Sequence, residues 1–205
     1  MGLPGKRHSR GFASNAKAVA ATHAAKPVAD VTLVERVAEL FDEQQIPFAL
    51  IGASAVAARG LPRSTYDVDL LTVDKRVLDN EIWQPIREFA YVEVRRGDQF
   101  DPLKGVVWIR PEQERPIDVV VGKWKWEQRV VERAEWIQSA AGYLPTVTTS
   151  DLILLKLAAA GAQDAWDVGR LLKIVPESVV AEVEERLSDL QDDAKELWRR
   201  IRRGL

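Results

Sequence analysis

The residues best suited to chemistry are Asp67 and Asp69, in the run Arg63-Ser64-Thr65-Tyr66-Asp67-Val68-Asp69-Leu70. Residues 66–73 have the composition of a strand. A strand points alternate side chains to opposite faces, so both carboxylates lie on one side of a sheet. Two ionised carboxylates that close repel each other. A purely structural pair is therefore unfavourable, and a divalent cation removes the difficulty; oxygen-only ligands suit magnesium or manganese. Asp118 is the third candidate, an acid between Ile117 and Val119-Val120-Val121. A charge in such an apolar strand needs a partner. If its strand pairs beside that of Asp67, the three acids converge and can hold two metal ions ~4 Å apart for in-line phosphoryl transfer. The competing partner for Asp118 is an arginine, with Arg63 and Arg110 as candidates.

Gly52 follows the apolar run 48–51 and precedes the short helix-forming stretch 53–59. A glycine at such a turn lets backbone approach a phosphate, and the start of a helix favours negative charge. Ser54 adds a hydroxyl donor. Two other features carry less weight. Trp124 and Trp126 alternate with Lys123 and Lys125 and could clamp nucleic acid by stacking; tryptophans after a strand more often pack in a core. A phosphatase of the haloacid-dehalogenase type also uses an Asp-x-Asp pair, but its nucleophile follows an apolar strand, and Pro62-Arg63-Ser64-Thr65 is the reverse. Both histidines, His8 and His23, lie near the N-terminus, which argues against histidine-based catalysis.

The elements that must position these groups can be read along the chain. Thr32 and Glu35 form a capping box, and Leu33, Val37, Leu40 and Phe41 recur at helical spacing. Residues 48–51, 66–73, 105–110 and 116–121 read as strands, with Glu112-Gln113-Glu114 as the turn between the last two. Residues 76–89 and 123–140 read as helices, 143–148 as extended, and 150–172 as a helix capped by Ser150. After Pro176 a last helix carries Val180, Val183, Leu187, Leu190, Ala194, Leu197 and Ile201 in steps of three and four. That stripe is a core-facing seam or, less simply, a dimer contact. Arg199, Arg200, Arg202 and Arg203 suit the C-terminal end of a helix.

Composition sets the outer bounds. The chain has 205 residues, 46% hydrophobic and 29% charged, with net charge −2 and no cysteine. Disulfides and thiolate chemistry are excluded, a reducing cytoplasm suits the chain, and wholesale coating of nucleic acid does not fit the charge. Residues 1–28 carry Lys6, Arg7, Arg10, Lys17 and Lys26 without an acid. They resemble a transit peptide in composition but read as a disordered basic tail, with RNA phosphates as the partner if the tail is functional. Nothing there reaches the length of a membrane span. The expected organisation is this tail at 1–28, a core at 29–122 and a mainly helical lobe at 123–205.

Ile51-Gly52-Ala53-Ser54, then Gly60, Arg63 and Thr65, then Asp67-Val68-Asp69 and Asp118 together resemble the DNA-polymerase-beta-like nucleotidyltransferase superfamily. Asp151-Leu152-Ile153-Leu154-Leu155-Lys156-Leu157 and Gln163-Asp164-Ala165-Trp166-Asp167-Val168 look like the Lys and later Asp motifs of its AbiEii-like subgroup. Two departures stand out: Ala53 where Gly or Ser is usual, and Gln163 where Arg commonly precedes Asp. The resemblance covers residues 48–172. It implies an α+β fold, a small mixed sheet with flanking helices plus a C-terminal helical lobe. It also implies magnesium-dependent transfer of a nucleoside monophosphate from an NTP. Asp67, Asp69 and Asp118 would hold metal, with Asp118 drawing the proton from the acceptor. Gly52, Ser54, Arg63, Thr65, Lys156, Asp164 and Asp167 would bind the nucleotide. The subgroup includes bacterial toxins, implying an RNA or protein acceptor and a cognate antitoxin partner; a non-catalytic module of the same fold is the alternative. Lys156 makes sense physically as well, because an ammonium on an apolar helix must pair with Asp164 or Asp167 or reach the triphosphate.

Overall fold

A computed structural model of the chain describes residues 31–204. The basic stretch 1–28 lies outside the described residues. The polypeptide from Thr32 onward gathers around one seven-stranded mixed sheet. The strands are β1 (Phe48–Leu50), β2 (Val68–Thr72), β3 (Tyr91–Arg96), β4 (Gly105–Arg110), β5 (Ile117–Val121), β6 (Glu135–Ser139) and β7 (Gly142–Thr146). Their order across the sheet is β3-β4-β5-β2-β1-β7-β6. Seven α-helices accompany it: α1 (Leu33–Glu43), α2 (Gly52–Ala58), α3 (Lys125–Glu132), α4 (Thr149–Ala159), α5 (Ala162–Leu171), α6 (Glu177–Arg186) and α7 (Asp192–Arg203). This is the expected mixed α/β architecture, with α4 to α7 as its helical part.

The pairing of β2 with β5 matters most for the site. The two strands are parallel and in register, with Val68 opposite Ile117, Asp69 opposite Asp118 and Leu70 opposite Val119. One face of the pair carries Val68, Leu70, Ile117, Val119 and Val121, all buried. That apolar row anchors both strands, so the alternate residues must face the other way. β4 continues the sheet antiparallel to β5, and β1 lies antiparallel to β2 on the far side. Under the apolar face, Phe41 of α1 meets Phe48 and Trp83 edge-on at 5.3 and 5.7 Å. The expected capping box of α1 is present, with Thr32 accepting from the Glu35 N–H and Glu35 accepting from the Thr32 N–H at 2.9 Å.

Several elements differ from the sequence reading. Residues 76–89 are not one helix but two 3-10 turns, Lys75–Leu78 and Asn80–Trp83, followed by further turns. Pro85 has no N–H to give the fourth residue before it, and its ring crowds that carbonyl. Trp83, fully buried, instead donates its indole N–H to the Val77 carbonyl at 2.7 Å. The stretch 123–140 splits into α3 and strand β6, which pairs with β7 in a hairpin completed by Gly142 at φ 114°. The helix expected over 150–172 breaks at Ala160, whose φ of 55° is left-handed, and Thr148 rather than Ser150 is its cap. The last helix is two, α6 and α7, joined by a 3-10 turn at Leu187–Asp189. Its apolar stripe faces the core: Val180, Val183, Leu190, Ala194 and Leu197 are all buried. Strand β3 is not among the strands that the sequence predicts.

No helix among the described residues is long and apolar enough to cross a membrane. Replacing Thr32 with Ala removes the cap of α1 and is expected to cost about 1 kcal/mol. Thermal unfolding should show this as a Tm lower by about 2–4 °C.

Candidate active site

Because Asp69 and Asp118 stand opposite each other on β2 and β5, their side chains leave the sheet on the same face. Asp67 lies two residues before Asp69 and joins them. The three carboxylates offer oxygens that all lie within 4.8 Å of one another, and each residue is half-buried. Sequence spacing anticipates this convergence, and the β2–β5 register brings it about.

Each carboxylate has its own support. The Thr65 hydroxyl donates to Asp67 Oδ1 at 2.7 Å and to the Asp67 carbonyl at 3.1 Å, which fixes the chain just ahead of β2. Asp118 accepts from Arg110 Nη1 at 2.5 Å, and Arg110 also reaches the Ile117 carbonyl. Asp69 sits against the turn that opens α2 and accepts the Ala53 N–H. Gly52 makes that approach possible. Its φ is +63°, and a Cβ built there would stand 1.9 Å from Asp69 Oδ2. The closest demand on Gly52 in the protein itself is thus room for a carboxylate.

Packing these groups together has an electrostatic consequence. Burial pushes the Asp69 carboxyl from 3.8 up to about 6, with Asp67 and then Asp118 adding to the rise; Lys156 and the Ala53 N–H pull it back. A hard divalent cation relieves all of these repulsions at once, and the donor set, three carboxylates and no nitrogen or sulfur, is of the kind such ions take.

Lys156 is buried on α4 and forms ion pairs with Asp164 at 2.8 Å and Asp167 at 2.7 Å. The helix between them is broken, yet they meet, because α5 folds back against α4. Arg63 pairs with the same Asp167, which is fully buried. Arg63, Lys156, Asp164 and Asp167 thus form one charged cluster, and the positive charge of Lys156 is felt at Asp69. Of the tryptophans after β5, Trp126 is in the core, whereas Trp124 is 44% exposed.

Arg115 is a further residue of the site, one that the sequence pattern does not single out. It stands in the turn before β5, and its Nη2 donates to Ser54 Oγ at 2.9 Å and to the Asp67 carbonyl at 2.6 Å. Ser54 is buried beneath it. The only trace of this in the sequence is a cation next to the Pro116-Ile117-Asp118 strand start, a weak signal in a turn rich in charge.

No protein-family model matches the chain, and no curated protein matches it in sequence. Solved structures resemble it to differing degrees. The solution structure of the antibiotic-resistance factor ANT(2'')-Ia matches with a TM-score of 0.51 at 16% identity, covering 78% of this chain and 92% of that one. The lincosamide antibiotic adenylyltransferase LnuA, with lincomycin bound, gives a TM-score of 0.46 at 12% identity over 70% of this chain and 96% of that one. JHP933 from Helicobacter pylori gives 0.45 at 13% identity over 77% and 75%. The match to ANT(2'')-Ia establishes a nucleotidyltransferase fold; activity has to be argued from the site, because one fold can host many functions.

The raised Asp69 carboxyl makes the metal-free protein sensitive to pH. The folded state keeps the Asp69 proton up to about pH 6, while the unfolded chain releases it near 3.8. The stability it contributes is therefore complete at low pH and is lost as pH rises through about 6. Melting of the metal-free protein should fall over that window for wild type and fall less for Asp69→Asn, which does not titrate there. Replacing Gly52 with Ala should cost about 1–3 kcal/mol, since the methyl meets the Asp69 carboxylate and the backbone is left-handed. The same variant should weaken Mn2+ binding in a direct titration, because Asp69 must move aside.

Proposed function

We propose that the protein is a metal-dependent nucleotidyltransferase that moves a nucleoside monophosphate from an NTP to a hydroxyl-bearing acceptor and releases pyrophosphate. The observation that carries this reading is the convergence of Asp69 and Asp118, on adjacent parallel strands, with Asp67 just ahead of the first of them. The presence of all three acids argues against a non-catalytic module, which has no use for a costly cluster of like charges.

Magnesium or manganese held by these carboxylates would draw charge from the reacting phosphoryl group. The remaining work falls to the chain. Asp118 would act as the base, taking the proton as the acceptor oxygen bonds to the α-phosphorus and pyrophosphate leaves. Arg110 orients that carboxylate, and Thr65 holds Asp67. Gly52 and Ser54 would lie against the triphosphate, at the turn that opens α2. Lys156, Arg63, Asp164 and Asp167 brace α4 and α5 against the loop leading to Asp67, and Lys156 tempers the repulsion at Asp69. The likeness of Lys156 and the later acids to AbiEii-like enzymes favours RNA or a protein as acceptor.

Incubation with each labelled NTP, Mg2+, and total RNA or protein should leave label on one acceptor class. Asp69→Asn and Asp118→Asn should each reduce labelling by at least about a hundredfold while remaining folded. Full labelling by either variant refutes the assignment. Calorimetry that finds no binding of any NTP with Mg2+ favours the non-catalytic module.

A further inference from the structure

The cations around the three aspartates are not equivalent. Lys156 is paired with Asp164 and Asp167, Arg63 with Asp167, and Arg110 with Asp118. In each case a carboxylate already neutralises the charge. Arg115 differs: among the described residues no carboxylate pairs with it, and its two bonds go to neutral acceptors, Ser54 Oγ and the Asp67 carbonyl.

Its remaining hydrogen-bonding capacity is unused. Arg115 Nε is buried without a partner, and Nη1 makes no bond within the described residues. Buried donors are nearly always satisfied, so an orphan of this kind calls for explanation. The two Nη2 bonds fix the guanidinium in place. They hold a positive charge that has no directly paired carboxylate between the Ser54 turn and the backbone of Asp67, with Asp118 three positions further along the same chain segment. Nη1, unbonded and not buried, is the group that a phosphate oxygen can reach, and the charge-assisted bond it would form is a strong one.

We infer that Arg115 is the residue that binds the triphosphate, contacting its β- and γ-phosphates beside Ser54 and neutralising the charge of the departing pyrophosphate. The inference rests on the nucleotidyl-transfer reading and refines it. The task expected of Arg63 and Lys156 passes to a residue whose charge is not already matched. Binding of the phosphates would also give the guanidinium the anionic partner it lacks.

The test uses the full-length protein with Mg2+ and, as probes, an NTP, the corresponding nucleoside monophosphate and inorganic pyrophosphate. Arg115→Gln should weaken NTP and pyrophosphate binding about tenfold to a hundredfold, the range of a lost charge-assisted hydrogen bond. The monophosphate, which lacks the β- and γ-phosphates, should bind both proteins alike. Arg115→Lys, which keeps the charge but not the fork, should recover part of the loss. Melting temperature and circular dichroism establish that each variant is folded. An equal loss for all three probes, or no loss for NTP in a folded variant, overturns the assignment and leaves Arg115 as a structural tie between Ser54 and Asp67. Failure of the wild-type protein to bind any probe overturns the nucleotidyl-transfer reading itself, and this inference with it.

Discussion

Three carboxylates confined within 4.8 Å of one another form an arrangement that the fold must actively hold in place. What holds it is the in-register parallel pairing of β2 with β5. The row Val68, Leu70, Ile117 and Val119 is buried on one face, and the same alternation then leaves Asp69 and Asp118 no choice but to face each other across the other. A slip of one residue in either strand would turn its acid toward the core and its valines toward the cleft. The apolar burial that stabilises the strands is thus the force that compresses the acids.

The surroundings of the cluster show how the strain is contained. Gly52 leaves out the methyl that would collide with Asp69. Thr65 and Arg115 tie down the chain at Asp67, from its hydroxyl and guanidinium respectively. Arg110 balances Asp118 directly, and Lys156 acts on Asp69 through space. Asp167 joins Arg63 to Lys156, so the loop that leads into β2 is linked to the helices of the C-terminal half. Positions far apart in sequence therefore act on a single centre.

Much of this could be read from residue types and spacing. The alternation of Asp67, Val68 and Asp69, the isolated acid in Ile117-Asp118-Val119, and a glycine between strand and helix all express local rules. The capping box at Thr32 and Glu35 is likewise local, and it is formed as the sequence indicates. What could not be read depends on tertiary contact. Arg115 bonds to Ser54 and Asp67 only because β5 docks beside β2, and no pattern in its own turn says so. The ion pairs of Lys156 arise from a fold-back after Ala160 rather than from continuous helical spacing. The helices expected over 76–89 and 123–140 give way to Pro85 in one case and to hairpin pairing with β7 in the other. Strand β3 carries little apolar signal, because Tyr91, Glu93 and Arg95 are exposed and only Val92 and Val94 turn inward.

The parallel β2–β5 pairing also bears on how the molecule comes together. Strands β3, β4 and β5 form a meander closed by nearby turns, whereas its seam with β2 joins residues such as Asp67 and Arg115, 48 positions apart. Loop closure makes such distant pairings slow relative to local ones. Asp118 thus meets Asp69 only when the meander docks, and the repulsion among the acids opposes that step. An ion that binds the docked form alone would favour it by mass action. A cation held by the three acids would on that footing stabilise the β2–β5 seam as well as the site, so that closing the sheet and filling the centre are one event.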